Sequence, residues 1–178
     1  MKVLALGASN NKQSINRILA AYAASLLDEA DVEVLDINDF EMPIFSDQRE
    51  QELGQPEQAK RFYQKIGAAD AIVISYAEHN GSYTAAYKNL FDWTSRINSK
   101  VYQNRPMLML STSPGPGGAA NVLAAAKKSA PHFAADVKAS ISVPSFHDNF
   151  DVDTNQLTNA QIKREIEQAV QSLQELPR

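Results

Sequence analysis

The chain has no cysteine. That removes disulfide scaffolds, thiol nucleophiles, iron–sulfur clusters and cysteine-ligated zinc from consideration. It also lacks any long apolar run. The amino-terminal stretch Val3–Leu6 is too short for a signal-peptide core, and no segment approaches the ~20 apolar residues a bilayer span requires. A cytoplasmic protein without a membrane partner is expected. Basic charge is scarce too. The net charge is −4, and no Lys or Arg occurs between Arg17 and Arg49. That interval instead carries Asp28, Glu29, Asp31, Glu33, Asp36, Asp39, Glu41 and Asp47. Nucleic-acid binding needs a basic face, so a nucleic-acid partner is excluded. Two phosphate motifs are absent, G-x-G-x-x-G and G-x-x-x-x-G-K-[ST], which argues against a dinucleotide Rossmann site and a P-loop NTPase. There is no Ser-His-Asp arrangement and no paired catalytic carboxylate.

What is present is an ordinary globular composition over 178 residues, 44% apolar and 21% charged. This suits a single domain, 1–178, with a real core. Strand-like and helix-like segments alternate. Val3–Ala8, Val32–Ile37, Ala71–Tyr76, Pro106–Thr112 and Val137–Val143 read as strands, the second nearer an edge because of its charge. Helices are expected over Ser14–Glu29, from Pro56 to about Ala69, and from about Thr84 to Arg96. An alanine-rich helix ended by Pro131 follows, then a last helix opened by a capping box at Thr158 and Gln161. Ile15, Ile18, Leu19, Tyr22 and Leu26 mark the buried stripe of the first helix, and Ile162, Ile166, Val170 and Leu173 that of the last. Asn38–Gln55 reads as a long irregular stretch, a length that often signals function.

This alternation predicts a doubly wound α/β fold, a five-stranded parallel sheet in three α/β/α layers, and the flavodoxin-like order 2-1-3-4-5 is the arrangement expected for it. In such sheets ligands sit beyond the carboxyl ends of the strands. The loops after the first, third and fourth strands meet there, and all three are unusual in composition.

The first, Ser9–Asn16, joins a buried strand to a helix start. Ser9, Ser14 and Asn16 offer hydroxyl and amide donors. The leading helical N–H groups, from Ile15 onward, have no internal acceptor, and the helix dipole adds partial positive charge. An anion site fits; a plain Ser14 helix cap is the bland alternative. The run Ser9-x-x-x-x-Ser14-x-Asn16 resembles the phosphate loop, G-S-x-R-x-x-S-x-N, of the NADPH-dependent FMN reductase family. Ala8 stands for its glycine and Asn11 for its arginine, with Lys12 next in line to supply charge. The second loop carries a longer match. Ala77-Glu-His-Asn-Gly-Ser-Tyr-Thr-Ala-Ala-Tyr-Lys-Asn-Leu-Phe-Asp-Trp93 resembles the family's P-E-Y-N-G-S-x-P-G-x-L-K-N-x-x-D-W. Ala77, His79 and Thr84 depart from it. The third loop, Ser111–Ala119, resembles S-x-S-x-G-x-x-G-G-x, and Met42–Asp47 resembles L-P-x-[YF]-x-x-D.

The resemblance implies a flavin site. Ser9, Asn11, Lys12, Ser14, Ile15 and Asn16 would hold the FMN phosphate. Ala77, Glu78, His79, Asn80 and Gly81 would meet the flavin ring, and Ser113, Pro114, Gly115 and Gly118 would run beside it. Glycine at 81 suits a close turn, having no Cβ. His79 would contact substrate or deliver a proton, or contribute only its backbone. Phe45 would line the substrate pocket. Trp93 reads as core, and Lys88 with Asp92 as a helix-surface pair. His147, Asp148 and Asp151 read as a solvated loop and not as a metal site. The implied function is an NAD(P)H oxidoreductase with bound FMN, taking electrons from NADPH or NADH and passing them to a small-molecule acceptor such as a quinone, azo compound or free flavin. A homodimer or homotetramer is implied as well. The alternatives are a flavodoxin-type electron carrier and a non-catalytic binding protein. The missing T-x-T-G-x-T signature weighs against the carrier.

Overall fold

A computed structural model describes residues 1–174. The chain runs through β1 (Lys2–Ala8), α1 (Ile15–Ser25), β2 (Asp31–Leu35), α2 (Asp47–Leu53), α3 (Glu57–Ala68) and β3 (Ala71–Tyr76). It continues through the short strands β4 (Glu78–His79) and β5 (Ser82–Tyr83), α4 (Ala85–Ile97), β6 (Pro106–Thr112) and α5 (Ala120–Ser129). β7 (Asp136–Val143), α6 (Phe146–Asn149), β8 (Phe150–Asp151), β9 (Gln156–Leu157) and α7 (Ala160–Gln174) follow. The main sheet has the order β2-β1-β3-β6-β7. Every neighbouring pair in it is parallel. With the hairpin strands set aside, this is the expected 2-1-3-4-5.

Side chains alternate across each strand, so consecutive residues serve opposite layers. Val3, Ala5, Val73, Leu108 and Leu110 pack with α1 and α7. Leu4, Leu6, Ile72, Ile74, Met107 and Met109 pack on the other face, against α3, α4 and α5. Both faces are covered, which is why β3 is buried at every position and reads as a nearly continuous apolar run, broken only by Ser75. β2 is one of the two edge strands and exposes Asp31, Glu33 and Val34. α1 lies close on β1 because Gly7 has no side chain. A Cβ there would meet the Arg17 backbone nitrogen at 2.4 Å.

Three local expectations change. The stretch Asn38–Gln55 is ordered: it holds a 3-10 turn, Ile37–Phe40, and α2, capped by Ser46. α2 buries no residue, so it has no apolar stripe to read. Its approach is fixed from α4, where Asn89 Nδ2 donates to the Met42 and Pro43 carbonyls and Trp93 Nε1 to Pro43 at 2.7 Å. The alanine-rich helix does not simply stop at Pro131. It passes into a 3-10 turn, Ala130–Phe133, with Pro131 near its start. At α7 the capping box is not formed. Asn159 Oδ1 accepts from the Gln161 and Ile162 N–H groups, while the Thr158 hydroxyl turns to the Asp148 carbonyl.

Candidate functional site

The site begins with how the first loop is held. Ser14 is the N-cap of α1, its Oγ accepting from the Arg17 N–H at 3.2 Å. Asn11 folds back on its own loop, its N–H donating to Ser9 Oγ and its Oδ1 accepting from Gln13 N–H. Ile15 and Asn16 are the leading residues of the helix, and their N–H groups have no acceptor inside it. The loop is braced from behind. Arg17 pairs with Asp36 at the end of β2 and also donates to the Lys12 carbonyl. Burial alone would raise the Asp36 carboxyl. The Asn38 N–H and side chain, with the Arg17 guanidinium, outweigh that and hold it below the usual carboxylate range.

Asn16 departs from its expected role. Its side chain is buried and does not point to a ligand. Nδ2 donates to the Thr112 carbonyl at 3.1 Å, and Oδ1 accepts from Ser75 Oγ at 2.7 Å and from Thr112 N–H at 3.0 Å. One carboxamide thus ties α1 to the carboxyl ends of β3 and β6, the two strands whose loops complete the site. Only the Asn16 backbone N–H remains for an anion.

The second loop is a tight hairpin. β4 and β5 pair as Glu78 with Tyr83 and His79 with Ser82, leaving Asn80-Gly81 as a two-residue turn. Both turn residues have positive φ, 53° and 78°. That is the type I′ geometry Asn-Gly favours. Thr84 then anchors the loop: its hydroxyl donates to the Ala8 carbonyl at 2.9 Å and accepts the Tyr87 N–H as the cap of α4. Glu78 reaches to the third loop. α5 starts at Ala119 in a left-handed conformation with no side-chain cap of its own. The Glu78 carboxylate takes that place, accepting from the Val122 N–H at 2.9 Å and from Asn121 Nδ2 at 3.3 Å. A carboxylate at a helix start is favourably placed against the dipole.

The third loop is fixed at both ends. Ser113 Oγ donates to the Gly115 carbonyl. The carbonyls of Ser113 and Gly115 accept from the Phe146 and Ser145 N–H groups. Gly118 has φ of +56°, and a Cβ there would meet Ser142 Oγ at 2.4 Å. Gly115 and Gly117 face open space instead.

Together the loops enclose a pocket of about 440 Å³ at the carboxyl ends of β1, β3 and β6. Of the expected residues it gathers Ser9, Asn11, Ser14, Ile15, Asn16, Ala77, Glu78, His79, Ser113 and Pro114. Lys12, Asn80, Gly81, Gly115 and Gly118 are not on its wall. Three residues outside the expected set are: Gln13, Thr112 and His147. Thr112 ends a strand already read correctly, so strand-end position was a usable signal. His147 had none, because only the fold brings the loop after β7 here. Phe45 is not on the wall either. It packs edge-on against Trp93, with ring centroids 5.1 Å apart. Met42 and Ile44 line a separate cavity of about 240 Å³ with Asn10, Ala85, Ala86 and Asn89. A larger depression of about 860 Å³ lies at the opposite strand ends, around Met1, Asp70 and Pro106. Ligands of this topology bind at the carboxyl ends, so the smaller pocket is the candidate.

The pocket is large enough for a cofactor, within the usual ~300–1,000 Å³. Its donor set suits a phosphate at one end and a flat polar ring at the other. The NADPH-dependent FMN reductase family matches residues 1–148, and the chain belongs to that family. Among its relatives is an NAD(P)H-dependent FMN reductase of Pseudomonas aeruginosa, 31% identical over 67% of this chain and 64% of that protein. An NADPH:quinone oxidoreductase of Arabidopsis thaliana is 33% identical over 66% of this chain and 61% of its own. The matched region therefore spans less than two thirds of either relative. In fold the chain resembles the flavoenzyme NAD(P)H:(acceptor) oxidoreductase FerB of Paracoccus denitrificans, with a TM-score of 0.79 at 23% identity over 97% of this chain and 94% of that one.

Proposed function

We propose that this chain is an NAD(P)H oxidoreductase that works with bound FMN and reduces a small acceptor of the quinone, azo or free-flavin kind. One observation carries the reading: three loops of separate strands, each unlike an ordinary turn, line one pocket at the carboxyl edge of the sheet. The Ile15 and Asn16 N–H groups with the Ser9 and Ser14 hydroxyls would hold the phosphate. The backbone of Ala77–His79 would supply donors and acceptors to the ring's polar edge, and Ser113–Pro114 would lie along it. When bound, FMN supplies the two-electron chemistry with NADPH or NADH as donor. The chain binds, orients and shields. The ionisable side chains on the pocket wall are Glu78, His79 and His147. His79 is exposed on the hairpin and open to an incoming acceptor. We place the protein in the cytoplasm as one domain, assembling as a homodimer or homotetramer; no described helix is long and apolar enough to cross a membrane.

The test is direct. The purified protein is expected to be yellow or to take up FMN, and anaerobic NADPH or NADH is expected to bleach it. A protein that binds no FMN refutes the reading. Flavin that binds but is not reduced by either nucleotide points to an electron carrier instead.

A further inference from the structure

The candidate pocket has a charge problem. A phosphate monoester carries close to two negative charges at neutral pH, yet no Lys or Arg lines this wall. The cations of the first loop are engaged elsewhere or absent from it. The Arg17 guanidinium is bound to Asp36 and the Lys12 carbonyl, and the Lys12 side chain is off the wall. The helix start contributes only about half a charge. Of the ionisable groups on the wall, Glu78 is acidic and committed to capping α5. Two imidazoles remain, His79 and His147.

They come from opposite layers. His79 is on the β4–β5 hairpin, whose Tyr83 packs with the α3, α4 and α5 side of the sheet. His147 follows Phe146, which belongs to the other core with α1. Phe146 stacks on Phe150, and Phe150 meets Tyr22 of α1 edge-on at 5.4 Å. The Phe146 N–H is also bound to the Ser113 carbonyl, which sets His147 beside the third loop on the α1 side. The anion cradle is at the start of α1.

We infer that His147 is the cation of the phosphate end. Protonated, it donates a hydrogen bond to a phosphate oxygen of the flavin nucleotide held by α1. This rests on the FMN reading above. Imidazole is the side chain that ordinarily changes charge between pH 5 and 8, so binding takes up a proton and tightens as pH falls from about 8 to about 6, below which the phosphate itself takes up a proton and the gain ends. The other titratable groups around His147 are Asp148 beside it, Asp151 on β8, and Glu78 and His79 across the pocket. The Asp151 carboxylate is held by the Asp153 and Thr154 N–H groups.

The experiment titrates apoprotein with FMN and with riboflavin, which has no phosphate, at pH 6.5 and 8.5, following flavin fluorescence. For the wild type, FMN is expected to bind about fivefold more tightly at the lower pH, the scale of one charge-assisted hydrogen bond formed in part of the population. His147→Gln is expected to remove most of that difference. His147→Arg is expected to hold FMN tightly at both pH values, and His132→Gln, which changes an exposed histidine of the 3-10 turn Ala130–Phe133 off the pocket wall, to keep the wild-type profile. Riboflavin affinity should not respond to any change at 147. If His147→Gln leaves the FMN profile unchanged, or weakens riboflavin as much as FMN, the inference is overturned while the cofactor reading stands. If the wild type binds neither flavin, both fall.

Discussion

Replacing Asn16 by alanine separates two roles that the sequence alone leaves entangled. If the side chain is a phosphate donor, the variant should fold normally and lose flavin affinity. If it is the clamp seen here, the variant should lose stability first. The clamp makes three buried hydrogen bonds, to Ser75 Oγ and to both backbone groups of Thr112. Each is worth ~1 kcal/mol net, and groups left buried without partners add to that, giving a loss of roughly 3–4 kcal/mol. Against a typical total of ~5–15 kcal/mol, this is a large fraction. The midpoint of thermal unfolding should fall by roughly 6–16 °C, at ~2–4 °C per kcal/mol for a chain of this size. Urea unfolding followed by far-UV dichroism and by the fluorescence of Trp93, the sole tryptophan, gives the measurement. Asn16→Asp sharpens it. The acceptor is kept, but a carboxylate faces the Thr112 carbonyl, so this variant should be at least as unstable near neutral pH. Its deficit should shrink in acid, where the protonated carboxyl can donate again. A loss below about 1 kcal/mol for Asn16→Ala, a single hydrogen bond's worth, would refute the clamp.

Other variants probe the remaining supports. Glu78→Ala removes the remote cap of α5 and should cost about 1–2 kcal/mol in urea unfolding, with Glu78→Gln recovering part of it. Gly7→Ala drives a Cβ into the Arg17 backbone nitrogen and should cost about 2–3 kcal/mol, because neither β1 nor α1 can yield cheaply. For the Arg17–Asp36 pair the sign follows from the depressed Asp36 carboxyl. Its contribution is complete above the unfolded value near ~4 and is lost as pH falls through the lower folded value. Asp36→Asn should therefore be less stable than wild type at pH 7 by under about 1 kcal/mol, the pair being partly exposed. That gap should close in an acid denaturation series as pH falls below the usual carboxylate range, and a gap of constant size would refute the linkage.

Much of the fold was legible because burial on both faces leaves a mark in the sequence. Ala71–Tyr76 is apolar but for Ser75 because helices cover both sides of β3. A turn was legible at Asn80-Gly81 from its glycine, but the hairpin of β4 and β5 around it was read as a loop, because two strands of two residues are too short to show a period. α2 left no mark because it buries nothing. The cap of α7 was misplaced by one residue because Thr158 and Asn159 are both good caps, and only the contact of Thr158 with Asp148 decides between them.

By itself, then, the sequence determined the strand and helix alternation, and with it a parallel α/β sheet, because these follow from local periodicity; contiguous motifs carried the resemblance to the family and, through it, the strand order. The tertiary structure decided what the polar side chains of those motifs do. Asn16 and Glu78 sit within motif loops that read as ligand contacts. In the folded chain their side chains bond to Thr112, Ser75, Asn121 and Val122, partners 43 to 96 positions distant in the chain. His147 reaches the pocket only through the packing of Phe146 and Phe150 against the α1 layer. A hydrogen-bonding group, donor or acceptor, is committed to whatever partner lies within about 3 Å, and that neighbour is set by the fold, not by position in the chain.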